Sequence, residues 1–150
     1  MKKKEFPLRK VLKYREYLEK DQASKFRDAL TREKMIEDVL TRHKNELNQK
    51  LTERDNLVSP GKVDIKKVKR LQEEILYAQV DESVLNQELH KASNARENER
   101  LRWLDKKSET DAIEKLKGKF VEVVNKEYLA EEQKDIDEIA RQAYLREEGK

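Results

Sequence analysis

The chain has no cysteine. That excludes a disulfide scaffold, thiolate metal sites and thiol catalysis, and it suits a reducing compartment. Three glycines and two prolines in 150 residues leave almost nothing to build turns with. A β-sandwich, a doubly wound sheet and a compact multi-helix globule each need many more connections, so all three are excluded. Aromatic residues are 6% of the chain, too few and too scattered for a base-stacking platform. No apolar run approaches the ~20 residues of a membrane span. The basic opening Met1-Lys2-Lys3-Lys4 lacks the apolar stretch that a secretory signal places next. The expectation is a cytoplasmic chain without direct membrane insertion.

What the chain has is charge. Asp, Glu, Lys and Arg make up 45% of it, yet 35 basic and 32 acidic residues leave a net charge of only +3. Such a balance favours salt-bridge-laced faces over a polycation and gives little support to a nucleic-acid partner. Ala, Glu, Lys, Leu and Arg together supply 55% of the residues, above the share of roughly half that marks long helices and coiled coils.

Punctuation then sets the architecture. Ser59-Pro60-Gly61-Lys62 is the one strong break, because proline cannot continue a helix and glycine suits the left-handed position past a helix end. Asp64 can cap the second helix. Phe6-Pro7 marks the start of the first, where proline's missing N–H costs nothing. The prediction is an all-α fold: one αα-hairpin over residues 1–150, with helices at about 8–58 and 64–147 and a turn at 59–63. In the first helix Leu18, Ala29, Leu40 and Leu51 recur every 11 residues, with Ile36, Leu47 and Val58 as a second row. In the second, Val68, Ile75 and Leu89 occupy heptad a, and Leu71, Ala78, Leu85 and Ala92 occupy d, with Glu82 interrupting. The seam weakens at Arg96-Glu97-Asn98-Glu99-Arg100 and resumes with Trp103, Ile113, Leu116, Phe120 and Val124. Two such stripes joined by a short turn form an antiparallel coiled-coil hairpin.

The helices are unequal, roughly 77 and 126 Å at 1.5 Å per residue. Counting back from a turn centred on Pro60 puts Leu8 opposite Ala112 and leaves about 35 residues of the second helix overhanging. Charge sharpens this asymmetry. Residues 1–20 hold eight Lys/Arg against three Glu, and residues 127–148 hold eight Asp/Glu against three Lys/Arg. Both ends oppose the helix macrodipole, which points to an external partner or to mutual neutralisation.

Catalytic chemistry is missing. His43 and His90 stand alone without an H-E-x-x-H spacing, and no glycine-rich phosphate loop follows Gly61. Carboxylate pairs such as Glu73-Glu74 lie on a fold with no pocket to desolvate them. No catalytic residue, metal site or cofactor is expected. Lys62, Lys66, Lys67, Lys69 and Arg70 cluster beside the turn, as a solvated face or as a site for an anionic partner.

The two ends carry a resemblance. Phe6-Pro7-Leu8-Arg9-Lys10-Val11-Leu12-Lys13-Tyr14-Arg15-Glu16 resembles the F-x-L-x-x-V-L-x-x-R opening of the FliJ family of flagellar protein-export components. Glu132 to Arg146 is similar to that family's E-Q-K-x-x-D-E-x-A-x-x-x-[YF]-x-R ending. The resemblance implies a non-enzymatic, stalk-like coiled coil, similar to the gamma subunit of rotary ATP synthases. It further implies engagement with a hexameric export ATPase, an export gate membrane protein and export chaperones, at the cytoplasmic face of the inner membrane. The residues it assigns to the ATPase are Phe6, Leu8, Val11, Leu12 and Arg15 with Gln133, Lys134, Asp137, Glu138, Ala140 and Tyr144. The gate is assigned more loosely to the turn-side half, at Leu71, Ile75 and Ala78. The alternatives are a stalk-like subunit of an injectisome or V-type ATPase, a coiled-coil holdase, and a nucleic-acid-contacting arm.

Overall fold

The computed structural model describes residues 4–58, 61 and 63–149. The expected turn residues Ser59, Pro60 and Lys62 lie outside the described residues. Two helices, α1 (Arg9–Leu57) and α2 (Ile65–Glu148), pack against each other as a hairpin, and the described residues contain no strand.

Local chemistry explains the helix starts. Pro7 sits just ahead of α1, and the first bonds are Arg9 N–H to the Phe6 carbonyl at 3.1 Å and Leu12 N–H to that of Leu8 at 2.8 Å. Neither helix has an acidic residue in its first turn, so α2 relies on the residue before it. Asp64 Oδ1 accepts from the N–H groups of Lys66 and Lys67, at 3.1 and 3.4 Å. These would otherwise be unpaired donors, and the carboxylate also answers the positive end of the helix dipole. Asp64→Ala should therefore cost about 1 kcal/mol, read as a lower urea midpoint at unchanged slope.

The chain divides into two compact units, residues 1–20 with 105–150 and residues 21–104. In the second unit Leu47, Leu71, Ile75 and Ala78 form a buried cluster, with Leu51 and Leu57 packed against it. Ile75 is its most enclosed member, 1% exposed. His43 Nε2 bonds the Ala78 carbonyl at 2.7 Å, tying α1 to the backbone of α2. Farther from the turn the layers become polar. Arg96 pairs with Glu33, and the Gln22 amide donates to the Glu99 carboxylate and, at 3.3 Å, to its backbone carbonyl. Phe26 stacks on Trp103 at 6.1 Å. The stretch 96–100, where apolar periodicity fails, is thus held by charge-assisted cross-helix bonds. Glu97 and Arg100 also bond along α2, which holds the carboxyl below its ordinary value and the guanidinium above its own.

Two residues of the expected stripes are exposed. Val58 lies one residue beyond α1, and Leu116 falls outside the seam positions Thr110, Ile113, Phe120 and Val124.

Candidate functional site

In the unit of residues 1–20 and 105–150, the start of α1 lies along α2. Phe6 meets Phe120 at 5.5 Å between ring centroids, Arg15 pairs with Glu109 at 2.6 Å, and Lys4 pairs with Glu127 at 2.8 Å. That last bond holds the Lys4 ammonium above its ordinary pKa. These pairs correct the register expected from the sequence. Arg15 meets Glu109 where the count from Pro60 gives residue 105, so the offset of about four residues arises within helical α1, and residues 4–6 then continue past its terminus without helix. Extended chain covers about 3.3 Å per residue against 1.5 Å in a helix, so these few residues reach Glu127. The overhang begins after Glu127 and is correspondingly shorter than 35 residues.

Every side chain from residue 125 to 149 is exposed. The hydrogen bonds there, Gln133 to Asp137 at 3.0 Å and Tyr144 to Glu148 at 2.8 Å, run i to i+4 along α2 itself. Yet the segment is not uniformly polar: Tyr128, Leu129, Ile136, Ile139, Tyr144 and Leu145 are all more than half exposed. Their placement is informative. Continuing the seam spacing beyond Val124 lands on Glu127, Glu131, Asp135 and Glu138. Leu129, Ile136, Ile139, Ala140 and Ala143 instead form a stripe displaced by roughly a third of a turn, at 3.6 residues per turn. A longer α1 would have met carboxylates. The apolar stripe faces another direction.

The residues assigned by resemblance fall into three situations. Gln133, Lys134, Asp137, Glu138, Ala140 and Tyr144 are all exposed on the overhang. Leu8 and Val11 are exposed beside the paired region, Phe6 and Arg15 are partly occupied by Phe120 and Glu109, and Leu12 is buried. The structure brings this N-terminal set onto residues 109–127 and not onto 133–144. Leu71, Ile75 and Ala78 are buried in the seam of the other unit. The exposed Tyr14 and Tyr17, beside Lys10 and Lys13, escape the sequence reading; tyrosines at i and i+3 among lysines are the signal that could have found them.

No group of acidic or histidine side chains among the described residues could hold a metal ion, and no described helix is long and apolar enough to cross a membrane. An open groove of about 490 Å³ lies where Ala29, Ala92 and Ala95 leave room between the helices, rimmed by Lys25, Arg32 and Lys91 with Asp28, Glu88 and Glu99. Its rim charges balance, three basic against three acidic.

A helical hairpin with an apolar seam and an exposed extension defines the class, a two-helix coiled coil. The family of such proteins is defined by comparison: the model described as "Flagellar FliJ protein" matches residues 3–149, and the chain belongs to the FliJ family. It is a component of the flagellar export system. No curated protein and no solved structure matches the chain.

Proposed function

We propose that the chain is the stalk-like element that engages the hexameric flagellar export ATPase through its terminal unit. One observation carries the reading: the overhang displays an acidic surface and an apolar stripe that its own hairpin does not use. Burial of large apolar side chains supplies about 25 cal/mol per Å², so such a stripe is a source of binding energy once a partner covers it. The acidic residues beside it give orientation and speed of encounter more than affinity. Phe6, Leu8, Val11 and Arg15 add a second, basic-flanked edge in the same unit. Leu12 contributes by packing.

The export gate and chaperones are assigned to the turn-side half, at the cytoplasmic face of the membrane. Leu71, Ile75 and Ala78 act there by holding the helices in register, since their side chains are enclosed. Nucleotide chemistry belongs to the ATPase. The purified chain should show no hydrolysis, while stoichiometric addition to the export ATPase should raise its turnover and its hexamer fraction. Turnover by the chain alone, or an unchanged ATPase at saturating chain, contradicts the proposal.

A further inference from the structure

The turn end of the hairpin exposes aliphatic side chains beside a collar of cations. Val58, just past α1, and Val63 and Ile65, at the start of α2, are 55%, 46% and 68% exposed. Every residue from 63 to 67 is exposed, as are Lys69 and Arg70. At 3.6 residues per turn, Lys66, Lys67, Lys69 and Arg70 spread over nearly half the circumference of α2, outside the buried row of Leu71, Ile75 and Ala78. These cations have little to answer them. Asp64 is committed to the N–H groups of Lys66 and Lys67, and Arg70 reaches Glu74 at 3.7 Å with its side chain 85% exposed. Lys66, Lys67 and Lys69 make no ion pair among the described residues. α2 has no acidic residue in its first turn, and cations there oppose the helix dipole. Exposed aliphatic groups and dipole-opposing lysines do nothing for the hairpin's own stability, so their use lies outside it.

The chemistry of the patch selects the partner. An anionic bilayer interface takes both kinds of side chain at once: its headgroup phosphates attract lysine and arginine, and its acyl boundary accepts aliphatic groups. We propose that the turn end is a peripheral membrane contact, in which Val58, Val63 and Ile65 enter the interface of an anionic bilayer and Lys66, Lys67, Lys69 and Arg70 sit among its headgroups. A nucleic-acid backbone would match the cations. Residues 58–70, however, hold no aromatic side chain to stack on a base, and the aliphatic groups would stay in water. An acidic protein helix would need an apolar ridge along one face, whereas Val58, Val63 and Ile65 bracket the chain reversal at an end. No described helix is long and apolar enough to cross a membrane, so the contact is interfacial. It does not rest on the ATPase reading, which concerns the other unit.

The test uses the full-length chain and vesicles of phosphatidylcholine with and without phosphatidylglycerol. Binding is read by co-sedimentation and, on the isotopically labelled chain, by backbone resonances. Anionic vesicles should carry the chain down and attenuate residues 63–70 most. Affinity should fall at least about tenfold in Val63→Ser/Ile65→Ser and in Lys66→Glu/Lys69→Glu. It should hold in Lys66→Arg/Lys69→Arg and weaken steeply as salt rises. All the substituted side chains are exposed, so melts should match the parent within a few degrees. The proposal is overturned by absent binding to the anionic vesicles, by equal binding to phosphatidylcholine alone, or by attenuation centred on residues 9–20 or 128–148. Undiminished binding in either the serine or the glutamate variant overturns it too. So does soluble glycerol phosphate that shifts residues 63–70 as the vesicles do, or a glutamate-rich helical peptide that shifts them while the vesicles do not. Vesicle binding is read without the ATPase, so its failure is distinct from a failure of that reading.

Discussion

A chain ending at Glu131 should melt within a few degrees of the full-length protein and yet bind the export ATPase at least about tenfold more weakly, the equivalent of 1.4 kcal/mol. The two halves of this expectation rest on different observations. Stability should persist because every side chain from residue 125 to 149 is exposed, while the cross-helix contacts Phe6–Phe120, Arg15–Glu109 and Lys4–Glu127 all precede the cut. A helical extension with no tertiary cover adds little, because most helical stability in proteins comes from packing of a face and not from propensity. Binding should fall because Ile136, Ile139, Ala140 and Tyr144 leave together with the carboxylates around them. Calorimetry on both chains, paired with ATPase binding by sedimentation, checks both halves. Unfolding on truncation would mean that the segment belongs to the hairpin's own core.

Ile75→Asp should do the opposite. The side chain is 1% exposed and sits among Leu47, Leu71 and Ala78, so the substitution removes apolar packing and places a carboxylate in an apolar cluster. The cost is about 3–5 kcal/mol, combining a large-to-small core change with polar burial. Ile75→Val, which removes one methylene, should cost about 1 kcal/mol at the same position. Denaturant melts of the three chains would show the order. The aspartate chain should keep its ATPase contact below its melting transition, since the proposed contact lies in the other unit, and lose contacts of the turn-side half. A melt for Ile75→Asp like that of the parent would contradict the packing described for that half.

Much of this arrangement is legible in the sequence because a two-helix fold is specified by few rules. Heptad and 11-residue rows locate Leu40, Leu47, Leu71, Ile75, Ala78 and Ala92 in the seam, and all are buried. Asp64 can be named as a cap because an acidic residue ahead of a helical run has few other uses. Register is harder. It depends on the offset between the two helices, already about four residues at Arg15–Glu109, and on how far the non-helical residues near Phe6 extend; a count at helical rise from Pro60 supplies neither. The polar layers are visible only as a failure of pattern: residues 96–100 break the apolar rhythm, but nothing in a single sequence pairs Arg96 with Glu33 or Glu99 with Gln22. Of the residues the resemblance assigns to the ATPase, Leu8 and Val11 are exposed beside the paired region and Gln133, Lys134, Asp137, Glu138, Ala140 and Tyr144 are exposed on the overhang. Leu12 is buried, and a motif does not distinguish a residue that touches a partner from one that holds the helix that does; Leu71, Ile75 and Ala78, which rest on no motif, are buried as well.

Whether the terminal unit is the ATPase end decides between the two halves of the hairpin. Photo-crosslinking from single positions tests this most directly, with the reactive side chain placed at Tyr144, at Val11 or, as the comparison, at Ser83 on the turn-side half. Full-length chains carrying the group at Tyr144 and Val11 should yield covalent adducts with the hexameric export ATPase, and the chain carrying it at Ser83 should yield none. Adducts from Ser83 with none from Tyr144 and Val11 would place the ATPase at the opposite half and contradict the proposed engagement.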